Sequence, residues 1–211
     1  MKLKLLLVFS IFITAFSVDA QINKAFFELN FDANIDVRST SYSAYQMKVE
    51  IENFGSEDII VHFPPGGFFL NLDSTEQNLV VLFYDMIEVK SASKESILIR
   101  TACINPKRKP PKKGRTTWVY NYDDKIGKLI LFYHENISIV KMATGAEHHE
   151  TLEDQQNFLQ MCVWVYYNAE KKQILDFATK YLFDGDKEES KEFVDIFFPL
   201  AVTFIDLYKR I

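Results

Sequence analysis

Residues 117–137 read TWVYNYDDKIGKLILFYHENI, and the hydrophobic period changes within this stretch. Residues 117–120 end a region in which apolar and polar residues mostly alternate, which is typical of half-buried β-strands. After Tyr122 the apolar residues recur every three or four positions, as they do on one face of a helix (Ile126, Leu129, Ile130, Tyr133, Ile137). The sequence therefore predicts an α+β protein whose strands precede its helices.

The region before this change, from Lys24 to Ile104, predicts five to seven short strands separated by turns. Its predicted strands are 45–52, 59–63, 78–84 and 96–104, with turns at 55–58 and at the Pro-Pro-Gly-Gly of 64–67, and residues 117–120 add a last strand after it. This spacing is typical of two packed antiparallel sheets. We therefore expect an N-terminal immunoglobulin-like β-sandwich over residues 21–120.

The region after the change, residues 121–211, predicts a helical subdomain packed on the sandwich. Thr151 and Asp154 have the spacing of a capping box, in which each side chain binds the other's backbone N–H at the start of a helix. The predicted elements are a helix at about 123–141, a loop at 143–150, a helix from Thr151 to about 168, helical residues 169–183, a turn at 184–186, and a last helix that Pro199 kinks or divides.

The first twenty residues have the three parts of a secretory signal peptide. Lys2 and Lys4 precede the apolar residues 5–16, and Val18-Asp19-Ala20 offers small residues at a cleavage site before Gln21. The apolar stretch is too short to cross a bilayer as a helix, since a span needs about 20 residues. We expect a secreted or periplasmic protein of bacterial type, with no transmembrane segment after cleavage of residues 1–20.

Composition and motifs narrow the function without naming it. The 211 residues include 24 Lys and Arg against 29 Asp and Glu, a net charge of −5, which gives no general reason to expect nucleic-acid binding. Sequence motifs for a nucleophilic serine, a phosphate loop or a zinc site are missing, so we expect no cofactor and no metal. A hydrolase whose catalytic groups are dispersed around His134, His148 or His149 remains an alternative, because such groups converge only in space.

The two cysteines, Cys103 and Cys162, leave two interpretations open from the residues alone. In an oxidising compartment a disulfide between them is expected to stabilise the fold. Two buried thiols are the alternative, because cysteine also packs as a small apolar residue.

A third interpretation comes from a resemblance. The segment Thr101-Ala102-Cys103-Ile104-Asn105 is followed by prolines, and residues 159–164 read LQMCVW. Together they resemble the thioester domains of bacterial surface adhesins, in which a cysteine near the end of a β segment is joined to a glutamine on a helix. The resemblance implies an internal thioester between Cys103 and Gln160, shielded by Trp164. On a helix, residues 160 and 162 point about 200° apart, so Cys103 cannot face both.

A basic segment follows Cys103. Within nine residues it carries six cations, Lys107, Arg108, Lys109, Lys112, Lys113 and Arg115. Two prolines hold the segment extended, so it concentrates positive charge on an otherwise acidic protein. One interpretation is docking to an anionic glycan, a lipid headgroup or a surface protein, and the alternative is a solvated connection.

These observations lead to one function hypothesis and two alternatives. We expect an exported, non-catalytic binding or surface-interaction protein, because the sequence combines an export signal with a sandwich pattern and no catalytic motif. The alternatives are a covalent adhesin that uses Cys103 and Gln160, and the hydrolase with a dispersed site.

Overall fold

A computed structural model describes residues 22–25, 33–43, 46–71, 73–111 and 118–210. Strands occupy the first part of these residues and helices the second, so the α+β class is confirmed. The signal peptide predicted at residues 1–20 lies outside the described residues and stays a prediction.

The described residues contain nine strands, and all nine lie before residue 123. Their bounds are β1 Ile22–Ala25, β2 Ile35–Ser43, β3 Gln46–Asn53, β4 Ile59–Phe63, β5 Gly67–Asn71, β6 Leu79–Val81, β7 Asp85–Val89, β8 Ser93–Cys103 and β9 Trp118–Tyr122. The predicted strand at 78–84 is shorter than expected, because only residues 79–81 pair with β8, and of these only Leu79 and Val80 also pair with β5.

Helices follow from residue 124 onward. Their bounds are α1 Asp124–Glu135, α2 Ile137–Thr144, a 3-10 helix Ala146–His149, α3 Leu152–Tyr166, α4 Lys171–Phe177, which continues as a π-helical turn Ala178–Leu182, and α5 Lys187–Arg210. The capping box of Thr151 and Asp154 at the start of α3 is confirmed. None of the helices in the described part of the chain is long and apolar enough to cross a membrane.

Two sheets form. Six strands make an antiparallel sheet in the order β2-β3-β8-β6-β5-β9, while β1, β4 and β7 make a smaller sheet in which β1 runs parallel to β4. In β3 the side chains of Met47, Val49 and Ile51 are buried and alternate with partly exposed polar ones, as the sequence pattern predicts. The strands thus form a curled, mainly antiparallel sheet structure, and the immunoglobulin-like arrangement stays a prediction.

Strand β8 changes partner along its length, and this change creates the site described below. Residues 93–100 pair with β3, whereas residues 101–103 pair with β6 on the opposite edge. The described part of β3 begins at Gln46, level with Arg100, and no described residue of β3 pairs with the last three residues of β8. Their edge on that side faces α3, which packs against β8 and α5.

One continuous hydrophobic core joins the strands and the helices. Its largest fully buried side chains include Phe63 and Phe69 from strands and Tyr133, Trp164 and Phe204 from helices. The predicted packing of the helices on the strands is therefore present. The predicted division into units at 21–120 and 121–211 stays a prediction about independent folding.

Two predictions for residues 123–150 were wrong in detail. The helix expected at 123–141 is two helices that meet at Asn136, whose backbone N–H and side-chain Nδ2 both donate to the Phe132 carbonyl (3.0 Å each). The loop expected at 143–150 contains the end of α2 and the 3-10 helix. Helix α5 continues through Pro199 without dividing, and the predicted kink stays a prediction. Pro199 and Asp195, whose carbonyl loses its N–H partner, both lie on the solvent face, where water can bind that carbonyl.

Candidate functional site

Helix α3 offers two glutamine side chains to the uncovered edge of β8. Gln160 Oε1 accepts a hydrogen bond from the Cys103 backbone N–H (2.7 Å), and Gln160 Nε2 donates to the Cys103 carbonyl (2.7 Å). One turn earlier, Gln156 Nε2 donates to the Thr101 carbonyl (3.2 Å). The two carboxamides therefore bind residues 101–103 of β8 in the way that a neighbouring strand would.

The two glutamines can both bind β8 because the residue spacing along α3 matches the residue spacing along the strand. Four residues of an α-helix rise about 6 Å, and two residues of an antiparallel strand rise about 7 Å. Thr101 and Cys103 direct their backbone groups to the same edge, while Ala102 pairs with Val80 on the other. Glutamines at i and i+4 thus meet strand residues at j and j+2, and α3 runs alongside β8 in the same direction.

The contact between Cys103 and Gln160 is shielded from water. Both Gln160 and Trp164 are 0% exposed, and Trp164 lies one further turn along α3. The Trp164 ring packs edge-on against Phe177 of α4 (centroids 5.4 Å apart). The structure thus places the Gln160 carboxamide against the Cys103 backbone, with Trp164 buried one turn further along the same helix.

Two buried polar atoms beside this contact have no hydrogen-bond partner among the described residues. They are the Thr101 hydroxyl, two residues before Cys103 on the same face of β8, and the indole N–H of Trp164. Buried donors without an acceptor are uncommon in native proteins. Strand β8 and helix α3 therefore each retain one buried group with unused hydrogen-bonding capacity.

Both cysteines are buried, and no disulfide joins them. Because Gln160 contacts Cys103, Cys162 lies on the other side of α3. Burial raises the pKa of the Cys162 thiol well above its ordinary value, which keeps it protonated and a poor nucleophile. The structure thus brings Gln160, rather than Cys162, against Cys103.

The basic segment begins directly after this contact, and its described part is held from inside. Lys107, Arg108 and Lys109 are exposed, whereas Lys112, Lys113 and Arg115 lie outside the described residues. The buried side chain of Gln77 accepts from the Asn105 N–H (2.9 Å) and donates to the Arg108 carbonyl (3.1 Å). The Gln77 backbone N–H also donates to the Lys109 carbonyl (2.8 Å). These bonds fix the backbone that carries the first three cations.

A groove, here called the basic groove, lies between residues 104–109 and α4 with its π-helical turn. It consists of two adjoining cavities of about 200 and 390 Å³ that share Pro106, Lys107 and Gln173. Lys180 adds a fourth cation to the lining of the larger cavity, and Asp176 adds one anion. Phe177, which packs against Trp164, also lines it, so the groove adjoins the outer side of the buried contact.

The three candidate catalytic histidines occupy separate structural positions. His149 is fully buried, and the Thr144 hydroxyl donates to the Val140 carbonyl (2.7 Å), so it accepts from His149 Nε2–H (2.7 Å). His149 Nδ1 accepts from the Tyr133 hydroxyl (3.0 Å). His134 Nε2 lies 2.9 Å from the Leu82 carbonyl, and His148 lies near Glu147 (3.6 Å). This geometry supports structural roles for His134 and His149.

A pH-dependent loss of stability is expected from His149. Burial, followed by the charges of His148 and Lys141, lowers the pKa of His149 from 6.5 to about 4. A lowered folded-state pKa means that the stabilisation is complete above pH 6.5 and is lost as the pH falls toward 4. The shift corresponds to about 3 kcal/mol of unfolding free energy.

Chemical denaturation of the wild type and of His149→Phe at pH 7 and pH 4 measures the contribution of His149 to the unfolding free energy. The wild type should lose about 3 kcal/mol more than the variant over this range. His148→Gln serves as the control: it removes the smaller contribution of the neighbouring charge but leaves His149 buried, so it should keep most of the wild-type dependence. An equal loss in wild type and His149→Phe would contradict the assignment.

Two residues that hold this site in place were not predicted from the sequence. Gln77 and Gln156 were not among the candidates, although both are buried. Gln156 and Gln160 are polar residues four positions apart on a helix whose neighbouring residues are mostly apolar, and that pattern was available in the sequence. Among the residues that the structure describes, no group of three or more His, Cys, Asp or Glu side chains is placed to hold a metal ion.

Comparison with protein-family models, with curated proteins and with solved structures gave no match for this chain. The site's geometry therefore carries the functional argument.

Proposed function

We propose that this protein is an exported, non-catalytic binding module that holds an anionic partner in the basic groove. The observation that carries the proposal is the Gln77 anchor, which fixes the backbone of Lys107, Arg108 and Lys109 through buried hydrogen bonds. A merely solvated connection has no need of such an anchor. Cations on a fixed backbone lose less conformational freedom when a partner binds, and the affinity rises accordingly.

Charge supports the same proposal. The whole chain has a net charge of −5, but the groove is lined by Lys107, Arg108, Lys109 and Lys180 against a single acidic residue, Asp176. A concave surface with one dominant sign of charge concentrates field lines and attracts ligands of the opposite sign. The groove is therefore the surface where an anionic glycan, headgroup or protein segment would bind first.

Replacing Lys107, Arg108 and Lys109 together with serine tests the proposal on a heparin column at low salt. Each basic residue near an anionic surface contributes about 1 kcal/mol, so removing three should lower the affinity for a heparin oligosaccharide by roughly 100-fold. The matched control replaces three exposed cations of α5, Lys187, Lys209 and Arg210, with serine. Equal retention of the two triple variants would exclude the groove as the binding surface.

A second function, a covalent adhesin, is favoured by one specific observation. The Gln160 carboxamide lies buried against Cys103, in the neighbourhood that an internal thioester requires. In the reaction the Cys103 sulfur bonds to the Gln160 carboxamide carbon, the carbon–nitrogen bond breaks, and the thiol proton leaves with the nitrogen as ammonia. The product is an electrophile that a partner's amine can open, and burial beside Trp164 would protect it from water.

The intact mass of the purified protein tests the thioester. Formation lowers the mass by about 17 Da, and opening by methylamine then raises it to about 14 Da above the unmodified chain. Cys103→Ala should abolish both changes, whereas Cys162→Ala should leave them intact. A chain of unmodified mass would contradict the thioester, and a loss of about 2 Da would indicate the disulfide instead.

A further inference from the structure

The basic groove has an exposed aromatic ring at one end. Tyr167 lines the smaller cavity and is 36% exposed. Its hydroxyl donates to Asp123 Oδ2 (3.3 Å), and its ring packs edge-on against Tyr166 (centroids 5.5 Å apart). Tyr167 is thus held by neighbours on its own side of the groove, and part of its surface is left open to the cavity.

Cations follow this ring along the groove. Lys107 lines both cavities, and Lys180 lines the larger one, where its ammonium group sits 5.1 Å from the centre of the Tyr181 ring. Side-chain amides complete the lining of the smaller cavity (Asn105, Asn168, Gln173). The groove therefore presents an aromatic surface, then positive charge, with hydrogen-bonding amides between them.

Acidic sugars have the matching chemistry. A sugar ring has an apolar C–H face that packs on an aromatic ring, hydroxyls that bind amides, and, in uronates and sulfated sugars, an anionic group on the same ring. A free polyphosphate has the charge without the apolar face. A lipid headgroup presents its charge at a broad surface, whereas these cations line a concave groove.

We infer that the basic groove takes an acidic oligosaccharide, with one sugar ring against Tyr167 and carboxylate or sulfate groups on Lys107 and Lys180. This inference rests on the proposed function and specifies its ligand class. Tyr167 is then the residue that separates sugar recognition from the attraction of any polyanion.

Isothermal titration with three probes tests the inference: a heparin-derived hexasaccharide, a polyphosphate of similar charge, and neutral maltohexaose. Tyr167→Ala should weaken hexasaccharide binding by about tenfold or more and leave polyphosphate binding within about twofold. Tyr167→Phe keeps the ring and loses only the bond to Asp123, so it should bind the hexasaccharide like the wild type. Maltohexaose should bind far more weakly than the hexasaccharide.

The result separates the two proposals. Suppose that the Lys107/Arg108/Lys109 serine variant binds both anionic probes more weakly, and that Tyr167→Ala lowers the affinity for both probes by the same factor. The sugar inference is then overturned and the proposed function stands. Polyphosphate binding at least as tight as the hexasaccharide would overturn the sugar inference in the same way. If the serine variant binds both anionic probes like the wild type, the proposed function fails, and the inference fails with it.

Discussion

Replacing Gln160 with leucine is expected to lower the free energy of unfolding by about 2–6 kcal/mol, because two buried backbone groups each lose a partner at a cost of about 1–3 kcal/mol. In the native protein one carboxamide satisfies both the N–H and the C=O of Cys103. Leucine has a similar size but neither donates nor accepts. Water cannot easily replace the amide, since Gln160 is fully buried.

Two other glutamines on α3 provide control variants for this prediction. Gln156→Leu removes the bond to the Thr101 carbonyl, which at 3.2 Å is longer than either Gln160 bond, and should cost less than Gln160→Leu. Gln155→Leu removes a partly buried bond to the His149 carbonyl and should cost about 1 kcal/mol or less. Urea denaturation at pH 7 ranks the three variants. The strand-edge role of Gln160 is refuted if all three cost the same.

Gln160→Glu gives a second readout if the leucine variant does not fold. A protonated glutamic acid can accept from the Cys103 N–H and donate to the Cys103 carbonyl, as the amide does, whereas the ionised form meets that carbonyl with a second negative oxygen. Burial raises the folded-state pKa of such a carboxyl group. The variant should therefore become more stable relative to the wild type as the pH falls toward about 4, the ordinary value for glutamate.

The chemistry of the site was partly accessible from the sequence. The helical period fixed Gln160 and Cys162 on opposite sides of one helix, so only one of them can face Cys103. Which one does so depends on residues 101–103 of β8. Their backbone groups on the edge facing α3 require polar partners, and Gln160 can supply them whereas Cys162 cannot. That requirement arises from strand pairing between distant residues, and a local pattern does not contain it.

For the basic groove, the charged residues could be predicted from the sequence but the contacts that hold them in place could not. Its cations are visible as a run in the sequence, but Gln77 lies thirty-one residues before Arg108, and α4 lies more than sixty residues after it. Nothing in the local sequence around 107–115 distinguishes an anchored segment from a solvated one. The break between α1 and α2 at Asn136 was also not predicted, because the apolar stripe continues past it. The helix ends there because the Asn136 side chain donates to the Phe132 carbonyl.

Gly66 joins the sheet to the helices, and Gly66→Ala is expected to cost about 3–5 kcal/mol. Its φ is +90°, and a Cβ built there would lie 2.3 Å from the Gly127 Cα and 2.7 Å from the Gly127 nitrogen. Both are backbone atoms of α1, so relief requires the helix itself to move. The Gly66 carbonyl also accepts from the Asp123 N–H (3.2 Å), and its N–H donates to the Val81 carbonyl (2.9 Å).

Gly185 provides the matched control, because it has nearly the same φ of +95° but no heavy atom within 4 Å of a built Cβ. Gly185→Ala therefore reports the conformational cost alone, about 1–2 kcal/mol. The excess in Gly66→Ala measures the cost of separating residues 64–66 from α1. In thermal unfolding the excess should appear as a Tm lower by several degrees, at about 2–4 °C per kcal/mol for a chain of this size. Equal losses in the two variants would mean that the loop and the helix do not meet as closely as Gly66 and Gly127 do here.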